Sequence, residues 1–381
     1  SVSVAPKGGS PLFESLFAEF TGEAGTQSLY AHTAGRRELI GKCLEVLNRS
    51  AELCPNASGL RNAAHRIGRT LKRFYDADGR YLCYLEYDRD GKPAFVAVSK
   101  NVRTQLRTLF WNNKPCGMIL ASGTLAIDGG FQYAKRQLGL NRLERTVDGS
   151  IIHSPFDYRQ NCLLYLPENM PGTREADAYR EAASEQIGKL IVSTRGHTLV
   201  LFTAYEDMSE TFRLLKELHL PYPLFALNRK DEACLNAFRQ SRNGVLLACG
   251  RAWEGMDFPG DIVSSLIMHK LPFPQKTLLS DSEKSQYMSL KDYLAAVVVP
   301  QMQVGVMQGI GRGVRLSTDT CVISILDHRA APGSSYHRHV MKALPEMPAT
   351  RSIDDVAAFI HEKKAPCYFE AEVADGCTDA E

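Results

Sequence analysis

The sequence predicts an α/β protein: a parallel sheet with helices on both faces, preceded by a mostly helical N-terminal region that carries a β-hairpin. Two observations point to it. From residue 150 onward, short and nearly continuous apolar runs alternate with amphipathic helical patterns, as expected of strands buried on both faces. Before residue 92, apolar residues recur at helical spacing instead. The length of 381 residues suggests two to three domains. The pattern divides them into a helical region 1–92, a junction 93–130 and a sheet domain 131–381.

In the first region "SPLFESLFAEF" has Ser10 as a cap and helical spacing of Leu12, Phe13, Leu16 and Phe17. "RRELIGKCLEVLNRSAEL" and "GLRNAAHRIGRTLKRFYDA" read as two further helices. The second carries Arg61, Arg66, Arg69, Lys72 and Arg73, either a solvated face or one turned to nucleic acid. "RYLCYLEYDRDGKPAFVAVS" (80–99) alternates on both sides of "DRDGK", a hairpin signature. In the junction "VRTQLRTLFWNN" reads as a helix and "CGMILASGTL" as a buried strand ending in a small-residue turn. Strands then follow at 162–167, 197–205, 222–227, 244–250, 264–271 and 321–327. Helical patterns lie between most of them, including a long one over 289–315. In such sheets ligands sit outside the carboxyl ends of the strands. The loops to inspect are therefore "TAYEDM", "CGRAWEGMDFPGD" and the turns near "KLPFPQ".

Composition narrows the function classes. The net charge is +2, so any nucleic-acid contact must come from a local patch. Ten cysteines include no C-x-x-C pair, and several lie in apolar runs as small buried hydrophobes. A cluster on Cys43, Cys54 and Cys83 would lack the fourth thiolate that iron–sulfur sites usually need. The polar start "SVSVAPKGGS" is no signal peptide, and no apolar run approaches the about 18 residues that span a bilayer. A soluble cytoplasmic protein without membrane contact is expected. The first residue is Ser rather than Met, in keeping with a processed or truncated product.

Two stretches carry chemistry. In "QGIGRGVR" (308–315), Gln308 is followed by Arg312 and Arg315. On a continuing helix their three-residue spacing places both guanidiniums on one face, which suits a polyphosphate. Surface salt bridges are the plainer alternative. Gly309, Gly311 and Gly313 let the backbone approach a neighbour closely. "WEGMDFPGD" (253–261) follows an interior strand. There Asp257 suits a ribose hydroxyl or a relay between sites, and Glu254 and Asp261 suit turn caps. Trp253 suits either base stacking or a cover for the sheet edge.

Together with "ASGTL" (121–125), "LVLFTAYEDM" (199–208), "LIMHKLPFPQ" (266–275) and "QGIGRGVRLSTDTCVISILDHR" (308–329), these stretches resemble motifs III to VI of superfamily 2 DNA helicases of the DinG/XPD branch. "SPFDYRQNCLLYLP" (154–167) is DinG-like too. The resemblance covers about residues 93–330. It implies that 131–381 is the second, RecA-like motor domain, that 93–130 closes the first motor domain, and that 1–92 is arch-like. By position it implies arginine fingers at Arg312 and Arg315 and nucleotide positioning by Gln308. It further implies coupling roles for Glu254, Gly255, Asp257, Ser122 and Thr124, and single-stranded DNA contact at Thr203. Trp253 joins that DNA surface as the stacking candidate. Ala126 and Ile127 stand where XPD-like chains more often show Ser-Pro.

No G-x-x-x-x-G-K-[ST] occurs in the 381 residues, nor an Asp-Glu-Ala-His-like metal motif. The resemblance therefore implies a C-terminal portion, inactive alone, that binds ATP and Mg²⁺ jointly with a first motor domain. It holds no metal of its own, and any iron–sulfur cluster would lie outside this chain. The alternatives are a non-catalytic helicase-like module that binds nucleic acid or a partner, and an unrelated nucleotide-binding α/β protein.

Overall fold

A computed structural model describes residues 2–4, 11–53, 57–113, 117–152, 154–228, 231–253, 256–258 and 260–370. The chain forms two compact units. One comprises Ser1–Gly117, Arg136–Thr146 and Gln275–Tyr293; the other comprises Met118–Lys135, Val147–Pro274 and Leu294–Glu381.

The first unit holds the four-stranded antiparallel sheet β1 (Val2–Val4), β4 (Pro93–Ser99), β3 (Tyr81–Tyr87) and β2 (Gln27–Leu29), in that order. β3 and β4 are the expected hairpin, paired from Tyr81↔Ser99 to Tyr87↔Pro93. Against it pack helices Pro11–Ala18, Ala34–Leu53 and Ser58–Asp76. Phe95 is the centre of this core, meeting Phe17, Phe20 and Phe74 edge-on at 5.0–5.5 Å, the arrangement that ring quadrupoles favour. Ser10, the expected cap of the first helix, and Cys54 lie outside the described residues. Cys43 and Cys83 are buried free thiols, and burial pushes both up to about 11.

The second unit is the RecA-like sheet. β5 (Cys162–Tyr165), β6 (Thr198–Phe202), β7 (Leu224–Leu227), β8 (Val245–Cys249), β9 (Ser265–Met268) and β10 (Cys321–Ile325) are the six expected strands. A two-residue β11 (Ala349–Thr350) is too short to leave a periodic signal. The order is β11-β5-β10-β9-β6-β8-β7, and every pairing is parallel. Successive side chains of a strand point to opposite faces, and here both faces are buried. Leu199, Leu201, Leu246, Ala248, Leu266 and Met268 enter one core. Val200, Phe202, Leu247, Cys249 and Ile267 enter the other. The second is covered by helices Ala176–Ser193, Tyr205–Glu217 and Ile353–Lys363. The first is covered by Val299–Ile310 and His337–Ala343.

Three expectations change. "CGMILASGTL" is not a buried strand: from Gly117 on it is irregular, with Ile119 94% exposed. Among the described residues no strand pairs with it, and an apolar run without a ladder partner cannot form one. The long helix of 289–315 ends at Ile310, before both arginines. There Gly311 and Gly313 weaken the helix, and i→i+3 bonds tighten the turn (Arg312 N to Gly309 O, 2.9 Å; Gly313 N to Ile310 O, 3.0 Å). Leu290–Ile310 is 21 residues long and apolar enough, by length and composition, to cross a membrane. In the fold its Met302, Val306 and Ile310 pack on the sheet, which is why it is apolar.

Candidate functional site

The site is built from the loops at the carboxyl ends of β6, β8 and β9 and from the turn between helix Val299–Ile310 and β10. β8 leads through Gly250, whose φ of +64° needs no Cβ, into the turn Gly250–Trp253. Trp253 is 8% exposed, and its indole Nε1 donates to Phe202 O at the end of β6 (2.9 Å). It is a packed wall. Its N–H is committed to that carbonyl and its ring meets the helix behind it. A Cβ on Gly309 would lie 3.0 Å from Trp253 Cζ3 and 2.7 Å from Met268 Cε. A Cβ on Gly305 would lie 2.7 Å from Pro272 Cγ, and one on Gly313 2.7 Å from Cys321 Sγ. The close approach that the glycines permit is therefore to the protein's own sheet.

The arginines converge by another route than helical spacing. Arg312 donates from Nη1 to Met256 O, and Arg315 from Nη2 to the same oxygen at 2.9 Å. Arg315 Nε lies 2.9 Å from Asp257 Oδ1, an ion pair whose carboxylate side chain is 67% exposed. Arg312 Nε also reaches Gln308 O at 3.3 Å. The turn beyond is fixed by buried Asp319, whose Oδ2 accepts from the backbone N–H groups of Arg315 (2.8 Å) and Leu316 (2.7 Å). Glu254 and Gly255 lie outside the described residues.

The same loop is clamped at its far end. Asp261 Oδ1 accepts from Lys364 Nζ at 2.6 Å, and Lys364 also donates to Thr320 O at 2.9 Å. Asp261, expected as a turn cap, is an ion-pair partner instead. Its carbonyl lies 2.7 Å from Nδ1 of buried His197, so that nitrogen carries the ring proton. Burial, against the help of that carbonyl, lowers His197 to about 4.

A cavity of about 260 Å³ opens beside this loop, lined by Phe202, Thr203, Trp253, Phe273, Gln301 and Gln308, among others. Thr203 and Gln308 therefore share one wall. Ser122 and Thr124 bond to each other in an exposed turn (Oγ to Oγ1, 3.3 Å) and, among the described residues, to no member of either group.

Sequence reasoning missed a second polar layer. Asp207 is buried and accepts from Lys270 Nζ (2.6 Å) and Arg180 Nε (2.9 Å). Burial would raise its carboxyl, but those two cations hold it below the usual range. Asp327, at the end of β10, likewise outweighs its burial, through two bonds from Arg329 (2.8 and 2.6 Å) and one from Leu271 N (2.9 Å). Arg329 in turn covers the Phe273 ring at 4.5 Å. The loops bearing Asp207, Lys270 and Phe273 are those the strand pattern singled out; the pairing across them has no sequence signal. Lys364 and Arg180 had none at all.

The helicase C-terminal domain family matches residues 187–347, a span that contains Thr203, the β8 loop and both arginines. Residues 187–347 are a helicase C-terminal domain of the DinG/XPD type. Among relatives of the chain, the ATP-dependent DNA helicase YoaA of Haemophilus influenzae is 27% identical over 88% of this chain and 53% of its own length. The probable ATP-dependent helicase YpvA of Bacillus subtilis is 30% identical over 70% of this chain and 39% of its own. The chain thus spans about half or less of the length of these relatives. S. tokodaii Xpd4 shares the fold, with a TM-score of 0.59 at 16% identity over 89% of this chain and 64% of its own.

Proposed function

We propose that this chain is the C-terminal portion of an ATP-dependent DNA helicase of the DinG/XPD type, and that Arg312 and Arg315 are its arginine fingers. The observation that carries this is their convergence on Met256 O. Two guanidiniums gathered on a single carbonyl oxygen are in place to exchange it for phosphate oxygens, which accept the same fork of donors more strongly. The residues therefore fit ATP. When bound, ATP would supply the γ-phosphoryl group, and the two arginines would stabilise its charge in transfer. Asp257, paired with Arg315, would report that exchange along the β8 loop. Gln308 would position the nucleotide from the wall it shares with Thr203, and Thr203 would meet a DNA phosphate. Glu254 and Gly255 keep the coupling role that their motif implies.

The other half of the cleft is assigned to a first motor domain of the same protein. The exposed run Met118, Ile119 and Leu120 supports this, being what a strand meant for another sheet looks like. Ser122 and Thr124, in the turn just after it, would couple that half to this one. Among the described residues no group of three or more His, Cys, Asp or Glu side chains could hold a metal. In this reading Mg²⁺ arrives with ATP and is held by the first motor domain.

The test uses the full-length protein and this chain side by side. The chain alone is expected to show no DNA-stimulated ATP hydrolysis. Full-length protein is expected to hydrolyse ATP and to lose that activity on Arg315→Ala with single-stranded DNA affinity retained. Turnover unchanged by the substitution would sink the assignment.

A further inference from the structure

The cations of the helical unit are gathered on one surface. Helix Ser58–Asp76 carries Arg61, Arg66, Arg69, Lys72 and Arg73, and its sole acid is Asp76 at the C-terminal end. Its inner side is accounted for: Thr70, Leu71 and Phe74 are buried, and Ile67 packs on the aromatic core. A second side lies along helix Ala34–Leu53, where a Cβ on Gly41 would come within 3.2 Å of Tyr75 and one on Gly68 within 4.0 Å of Leu44. What remains faces water. At 3.6 residues per turn, Arg61, His65, Arg66, Arg69, Lys72 and Arg73 fall within an arc of about 140°. All but Arg73 are exposed, and Arg73 lies over the Tyr81 ring at 4.4 Å.

The bland reading is a solvated charge run, and the neighbouring helix shows what that looks like. Ala34–Leu53 mixes Arg36, Arg37, Lys42 and Arg49 with Glu38, Glu45 and Glu52, and Lys42 pairs with Glu38 at 2.7 Å. From Arg61 to Arg73 the arc has one sign only, and Asp76 enters it at the C-terminal end of the helix. Among the described residues, Arg66, Arg69 and Lys72 meet no carboxylate. With a net charge of +2 over the whole chain, this is a local field rather than part of a general one.

We infer that this face of helix Ser58–Asp76 binds the phosphate backbone of duplex DNA, at a site separate from the β8–β10 cleft. Charge complementarity selects a polyanion, because forked and mobile cations of one sign are what phosphate rows take. The helix places no Phe, Tyr or Trp on the arc, its one ring there being His65, and the neighbouring Tyr81 ring is covered by Arg73, so the arc lacks the open aromatic platform for unstacked bases that single-strand sites usually include. Along the about 16 Å of axis from Arg61 to Lys72, a duplex offers both strands' charge, one per about 1.7 Å. Contacts of this kind carry no sequence preference.

The experiment measures fluorescence anisotropy of this chain with a labelled duplex of roughly 20 base pairs and with a single strand of the same length. Salt is varied from about 50 to about 200 mM, where phosphate contacts are most visible. The variant is Arg66→Glu, Arg69→Glu and Lys72→Glu together, with the corresponding glutamine triple as a milder version should the first not fold. For the glutamate triple the duplex Kd is expected to rise at least about tenfold. For either triple the slope of log affinity against log salt is expected to fall by about 2.7, or 0.9 per lost contact. Single-strand affinity is expected to change less than about twofold. Wild-type protein that ignores duplex, a triple variant that binds it as before, or equal loss for both DNAs would each overturn the inference. No ATP enters the assay, so failure of the arginine-finger reading would leave this result standing.

Discussion

Arg315 Nη2 donates to the carbonyl oxygen of Met256 at 2.9 Å, across 59 residues of sequence, and Arg312 shares that acceptor. One peptide oxygen in the loop after β8 thus gathers the two cations that the motif spacing singled out. On the proposed arginine-finger role, removing either guanidinium would remove a transition-state contact that a lysine cannot reproduce in fork geometry. In the full-length protein, Arg315→Ala and Arg312→Ala are each expected to lower ATP turnover at least about 100-fold. Arg→Lys should recover little. Steady-state hydrolysis and single-strand binding, measured together, check it; the latter should move less than about twofold.

Gly313 sets how closely this turn approaches the sheet. A Cβ there would lie 2.7 Å from Cys321 Sγ and 3.3 Å from Leu266 Cβ, both on central strands that cannot retreat. Gly313→Ala should cost about 1–3 kcal/mol by overpacking. Adding Cys321→Ala should return part of that loss by removing the sulfur. Urea unfolding of the single and double variants measures both, and no recovery in the double variant would contradict the steric account.

Lys364 and Asp261 should respond unequally to removal. The lysine side chain is 2% exposed and the aspartate 54%. Losing Lys364 leaves a carboxylate that water can reach. Losing Asp261 leaves a buried ammonium bonded to Thr320 O without its carboxylate, which is the costlier outcome. Asp261→Ala should therefore destabilise more than Lys364→Met, by up to about 3 kcal/mol for the aspartate change. Thermal or urea melts that rank them the other way would refute this.

Acid should weaken the second unit before any of its low-shifted carboxylates titrate. His197 is lowered to about 4 and His269 to about 3, in both cases mainly by burial. An unfolded histidine titrates near 6.5, so between that pH and the folded value the unfolded chain binds more protons. Stability contributed by these rings is then complete above about pH 6.5 and is lost as pH falls toward 4. The loss is about 1.4 kcal/mol per pH unit for each ring. Asp207 and Asp327 are held below the usual carboxylate range by their cationic partners, so their contribution is lost mainly at the acid end of that window and below it. Urea midpoints from pH 7 to about 4 should fall in wild type, and His269→Asn should flatten the slope.

The sequence by itself determined the strands, the hairpin and the loops that matter. Apolar alternation and continuous apolar runs are local patterns that water exclusion reads directly. It also determined the motif order on which the helicase assignment rests. Tertiary structure decided what those residues touch. Helical spacing placed Arg312 and Arg315 together, but the helix stops at Ile310 and a carbonyl on the far side of β9 in sequence gathers them. Trp253 packs against its own sheet because Phe202 O and the glycine face of a helix are there to receive it. "CGMILASGTL" had the composition of a strand but, among the described residues, no strand pairs with it. The pairs Asp207–Lys270 and Asp261–Lys364 join residues 63 and 103 positions apart. Periodicity reports a residue's own burial. Pairing depends on which chain segments the sheet order brings to one edge, and no single stretch of sequence contains that.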